Sequence, residues 1–203
     1  AEDAVSPFGF KLAGVASTLS GAVMTGPSGS PASLSVDLAA QNPSVGETIR
    51  FTFTLPDGTT RDLTLTAVSA TPAGTDQFSI GATQAITSAN LQAALTTSLS
   101  RLADTELAAA SAVAAGNDFF NTDADNPPRR VAGPPFSTAT ALVDGTDANT
   151  VQWYLGDDAT DDPRTTAVAR ADQSLNVAYG ARANEHSLRL TIQSFAIFAV
   201  ADR

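Results

Sequence analysis

The sequence predicts an α+β protein: an antiparallel β-hairpin sheet with a packed helix, followed by a smaller β segment leading into a C-terminal helix. Three patterns carry that prediction. Ile49, Phe51, Phe53 and Leu55 alternate with Arg50, Thr52 and Thr54, and Leu63, Leu65 and Ala67 alternate with Asp62, Thr64 and Thr66. This is the period-2 pattern of strands buried on one face. Leu91, Leu95, Leu99 and Leu102 fall at i, i+4, i+8 and i+11, a single stripe on a helix. Near the end of the chain, Leu188, Ile192, Phe195 and Ala199 repeat the device at i, i+4, i+7 and i+11.

Taken in order, Phe8, Phe10 and Leu12 suggest a strand over residues 7–13, and the Gly/Pro/Ser run over 26–31 a loop. Leu34, Val36 and Leu38 alternate with Ser35 and Asp37, which predicts a strand over 33–38. Between the two hairpin strands stands Pro56-Asp57-Gly58. Proline presets φ for the first corner of a turn, Asp tolerates the second, and Gly accepts the positive φ that closes it. Phe78 and Ile80 mark a third strand over 77–81. A bare hairpin is marginal in water, so this sheet needs a cover. The helix over 88–103 supplies it, with Thr87 or Ser88 as the cap of its first turn. The Ala-rich run over 107–115 favours helix by propensity, although Ala108, Ala110 and Ala112 are also spaced to line one side of a strand.

Over 117–145 the periodicity disappears, and Asn126-Pro127-Pro128 and Gly133-Pro134-Pro135 mark an irregular connection. The expected organisation is therefore a β-rich domain over 1–116, a Pro/Gly-rich connection over 117–145, and a β segment plus helix over 146–203. Strands are expected over 150–155, 167–171 and 175–179. In the last helix Asn184 is placed to cap, and Glu185 to complement the positive N-terminal end. Leu190, Ile197, Phe198 and Val200 widen its apolar stripe almost around the cylinder, and such a helix wants neighbours on most sides.

Composition excludes more than it names. Eleven basic residues against twenty-one acidic ones give a formal charge of -10, which repels phosphate backbones and anionic lipid, so neither nucleic acid nor a membrane is expected as a partner. Apolar residues make up 43% and charged ones 16%, the balance of a folded chain and not of a charge-rich disordered one. No run of about 18 apolar residues exists to span a bilayer. Without cysteine there is no disulfide, thiolate metal site or cysteine nucleophile, and one histidine, His186, cannot build a histidine-rich metal site. The first residues, Ala1-Glu2-Asp3-Ala4-Val5, lack the basic and apolar regions of an intact signal peptide and an initiator methionine. A processed form and a fragment both account for that.

The candidate chemical residues are few. A Ser/His/Asp site would need His186, yet it sits beside Glu185 at a helix start and no Gly-x-Ser-x-Gly turn exists, so it reads as a surface or capping histidine. The acidic loop with Asp157, Asp158, Asp161 and Asp162 offers hard oxygen ligands for calcium but lacks the ligand spacing of an EF-hand. It reads as a solvated loop, as do Asp123 and Asp125. Arg129 and Arg130 could pair with that loop or grip an anion, and the plainer reading is a solvated pair. Glycines are scattered through turns, so no phosphate-binding loop or dinucleotide fingerprint appears. Trp153 and Tyr154, on opposite sides of a strand, would let one ring anchor the core and the other meet a partner or sugar. No catalytic residue, cofactor or metal is expected, and an enzyme is not.

Three stretches of the second half, Gly145-Thr146-Asp147-Ala148-Asn149-Thr150-Val151-Gln152-Trp153-Tyr154, Gly156-Asp157-Asp158, and Tyr179-Gly180-Ala181-Arg182-Ala183-Asn184-Glu185 leading into the apolar helix, resemble the bacterial flagellin and hook–filament junction (hook-associated) protein family. The similarity lies where the outer domain returns to the long C-terminal helix. The Leu55-Pro56-Asp57-Gly58-Thr59 hairpin followed by Asn90-Leu91-Gln92-Ala93-Ala94-Leu95 resembles an inserted domain of some long flagellins and, more loosely, small modules of phage tail proteins. The resemblance implies a structural, extracellular subunit of filament or junction, exported through the flagellar channel without a cleaved signal peptide, acting without cofactor in cell motility. Its partners would be itself and other flagellar axial proteins, with Leu188, Ile192, Phe195 and Phe198 on the assembly helix. Family members carry long terminal heptad helices; neither lies within these residues, so an outer-domain fragment is implied, one that should not polymerise by the usual contacts. The alternative is an adhesin or phage-tail-like binding module, for which the Thr-rich hairpin and Trp153-Tyr154 speak.

Overall fold

The first unit of the chain is built around strands β1 (Lys11–Ser17), β2 (Val23–Ser28), β3 (Ser33–Asp37), β4 (Thr48–Thr54), β5 (Thr60–Val68) and β6 (Gln77–Ser79), with helix α1 (Gln84–Leu102) across them. A computed structural model describes residues 2–38, 41–123, 126–156 and 161–201. The chain divides into two compact units, Ala1–Ser111 and Ala112–Arg203. The division falls inside helix α2 (Ala108–Phe120), where the sequence pattern placed the end of the first domain at 116.

The hairpin forms as its alternation predicts. β4 and β5 pair antiparallel with Ile49 opposite Leu65 and Phe51 opposite Leu63, so the alternating apolar residues of both strands land on one face. Ile49, Phe51, Phe53, Leu63, Leu65 and Ala67 are all buried. Gly58 closes the turn at φ 83°, and Asp57 Oδ1 accepts from the Thr59 amide at 3.0 Å. β1 lies antiparallel to the other side of β4, with Leu12 opposite Phe53 and Val15 opposite Phe51. It runs four residues later than the 7–13 expected, because Phe10 enters the core as a ring packed on Phe53, centroids 5.5 Å apart, ahead of the ladder.

Two features of the sheet depart from expectation. The third strand β6 runs parallel to β5, with Ala67 opposite Phe78, so the sheet order β1-β4-β5-β6 is antiparallel only in its first three strands. Alternation tells which face a strand buries and says nothing of its direction; the segment 69–76 carries the chain back along β5, ending on Asp76 at φ 54°. The loop expected at 26–31 is partly strand, since β2 pairs with β3 in a separate ribbon, Met24 opposite Val36. Its Gly26 and Pro27 read as a turn, whereas the reversal comes just after, with Gly29 at φ 86°.

α1 covers the sheet through the predicted stripe. Leu91 and Leu102 are buried, and Leu95 and Leu99 pack half-buried against the core. The helix starts four residues earlier than expected because Thr83 caps it, its hydroxyl accepting from the Ile86 amide. Thr87, one of the two expected caps, is instead fully buried. Its hydroxyl accepts from the Gly81 amide at 2.9 Å and donates to Asn42 Oδ1 at 2.8 Å, while Asn42 Nδ2 donates to Gly81 O. That network satisfies polar groups that burial would otherwise penalise, and it ties the loop before β4 to the start of α1. After Leu102 a π-helical segment, Ala103–Leu107, leads into α2, so the Ala-rich run is helical.

The second unit holds the remainder of α2, two short antiparallel ribbons and a helix. β7 (Arg129–Val131) pairs with β8 (Leu142–Asp144), and β9 (Val168–Arg170) with β10 (Asn176–Ala178). The second ribbon matches the strands expected over 167–171 and 175–179. The first lies inside the segment expected to be irregular, where three-residue strands are too short to show a period. No strand forms over 150–155: Asn149 and Thr150 both donate their amides to Thr146 O, which curls the chain into a turn just before it. The last helix, α3, spans His186–Ala201. Among the described residues no helix is long and apolar enough to cross a membrane.

Candidate functional site

The C-terminal helix forms as predicted. Within the second unit α3 buries Gln193, which is 5% exposed, with Arg189, Ala196 and Ile197 half-buried beside it. Gln193 Nε2 donates to Asn117 Oδ1 at 2.6 Å, fixing α3 against α2. Gly116 lets the helices come close: a Cβ there would sit 2.7 Å from Ile197 Cγ1. At about 100° per residue the buried face lies about a third of a turn round the helix from the apolar stripe.

That stripe faces solvent. Leu188 and Ile192 are 45% and 42% exposed, and Phe195 and Phe198 reach 72% and 73%. Ile197 packs inward against Gly116, while Leu188, Ile192, Phe195 and Ala199 point out with Phe198 on their flank. Over 187–201 the only charge is Arg189, on the inward side, so the outward face is neutral in a chain of net charge -10. Aromatic and branched side chains in exposed array are costly to leave in water.

Glu185 stands immediately before α3. Glu185 O accepts the first intrahelical bond, from the Arg189 amide at 2.8 Å, which places Glu185 at the cap. Its carboxylate accepts from the Arg182 amide at 2.9 Å and pairs with Arg164 Nη2 at 3.4 Å. His186 is exposed on the first turn, with Arg189 Nη2 3.4 Å from its Nδ1, a guanidinium where a Ser/His/Asp site needs a hydroxyl and a carboxylate.

The remaining candidates are held by their own neighbours. Asp162 Oδ1 accepts from the Arg164 amide and caps a single 3-10 turn, Pro163–Thr166, and Asp161 O accepts from Arg182 Nη1. Asp123 binds the Asn126 amide and side chain. Asp125, Asp157 and Asp158 lie outside the described residues, and among those described no three His, Asp or Glu side chains gather as a metal site. Arg129 pairs with Asp118 of α2 at 2.5 Å, and Arg130 Nη1 donates to Asn149 O. Trp153 and Tyr154 do not diverge across a strand; their rings lie 5.5 Å apart, and Trp153 packs on the buried Phe120 at 5.3 Å. Neither ring is an exposed platform for a sugar.

Sequence reasoning missed Asp76. It holds the left-handed backbone conformation, which Asp tolerates better than most residues, and its carboxylate accepts from Ser98 Oγ at 2.7 Å and Arg101 Nη2 at 2.7 Å. Burial pushes its pKa up, but the Ser98 hydroxyl and the Arg101 guanidinium outweigh that and hold it below the usual carboxylate range. The i, i+3 spacing of Ser98 and Arg101 on one helix face was the available signal. Beside these residues, loop 73–79 and α1 enclose a cleft of about 340 Å³.

Comparison with family models, with curated proteins and with solved structures finds no match to this chain.

Proposed function

We propose that this chain is an outer-domain piece of an extracellular structural subunit of the bacterial flagellum, a filament flagellin or a hook–filament junction protein. Its work is self-assembly with other flagellar axial proteins outside the cell, and it carries out no chemistry and needs no cofactor. The observation that carries this reading is the outward apolar face of α3, from Leu188 through Ile192 and Phe195 to Phe198, on the helix into which the flagellin-like Tyr179–Glu185 stretch leads. A neutral, aromatic-rich helix face suits packing against another helix far better than it suits binding a charged or sugar ligand. The alternative of an adhesin or phage-tail-like module keeps the Thr-rich hairpin in its favour and loses the aromatic pair.

The test replaces Ile192 and Phe195 with Ser in the full-length subunit. Both side chains point outward, so the fold should persist while incorporation into filaments is lost, scored by swimming motility and by electron microscopy of sheared filaments. Normal incorporation of the double variant would overturn the assembly reading and return weight to the binding module.

A further inference from the structure

We draw no further inference here: the strongest candidate outside the α3 face, the cleft of about 340 Å³ between loop 73–79 and α1, is lined by polar groups that bond one another, Asp76 with Ser98 and Arg101, Gln77 with the Gly74 amide and Asn90 with Ser79 O, so nothing in it points to a ligand.

Discussion

Gln193 Nε2 donates to Asn117 Oδ1 across 2.6 Å, and this polar contact, beside the close approach of Ile197 to Gly116, marks the side of α3 that turns inward. Buried amide N–H groups are in the large majority hydrogen-bonded, whereas apolar side chains pack with many neighbours. Gln193→Ala should therefore cost about 0.5–1.5 kcal/mol, the net worth of one hydrogen bond, because the exposed Asn117 can turn to water instead. Urea unfolding followed by circular dichroism measures it. A loss below about 0.5 kcal/mol, the range of ordinary surface changes, would mean that the amide pair does not orient α3.

Phe53 is 5% exposed and lies between Phe10 and Phe51, whose ring centroids are 5.5 and 6.4 Å away. Phe53→Ala should destabilise the first unit by about 3–5 kcal/mol, the usual cost of emptying an aromatic site in a core. Denaturant melts that leave the variant within about 1 kcal/mol of the parent would show that the sheet has another register, since a one-residue slip moves Phe53 to solvent.

Asp76 separates charge from backbone geometry. Asn tolerates the left-handed conformation at φ 54°, while Ala pays about 1–2 kcal/mol to adopt it. Asp76→Asn should accordingly be milder than Asp76→Ala in thermal melts, although both lose the ion pair with Arg101. Equal losses would assign the whole role to the carboxylate.

The acid limb of stability follows from carboxylates that folding holds low, Glu47 and Asp76 among them. Glu47 is held low by the Ser20 hydroxyl and amide and by the Ser44 amide, and Asp76 by Ser98 and Arg101 against the upward push of its burial. Both are depressed on folding, so their stabilisation is complete above the ordinary carboxylate range and is lost as pH falls through the lowered folded values. Melting temperature should drop on acidification below that range, and Asp76→Asn should flatten the drop. A parent and variant with parallel acid limbs would remove Asp76 from the explanation.

Calcium and EDTA should leave the melting temperature unchanged. Asp162 is spent on a cap and Asp123 on Asn126, and the acidic loop lacks the ligand spacing of an EF-hand. A ligand that binds only the folded state must stabilise it, so a rise that saturates with calcium would establish a site in this loop.

The residues of this chain determined by themselves whatever depends on neighbours close in sequence. Alternation placed Phe51, Phe53, Leu63 and Leu65 on one face, Pro56-Asp57-Gly58 made the turn, and the leucine stripe from Leu91 to Leu102 laid α1 on the sheet, because strand and helix periods convert order along the chain directly into a face. Local competition already blurred the edges: Thr83 and Thr87 are both good caps, and only the buried network with Asn42 and Gly81 decides that Thr87 turns inward. What tertiary structure alone settled is direction and facing. β6 runs parallel to β5 because of the path of 69–76, Trp153 rests on Phe120 because no neighbour strand was there to pair with 150–155, and α3 shows Leu188, Ile192, Phe195 and Phe198 to solvent because Gly116 and Asn117 accept its other side. A period says that a face exists; which surface it meets is set by groups far along the chain, and Gln193 and Asn117 are seventy-six residues apart.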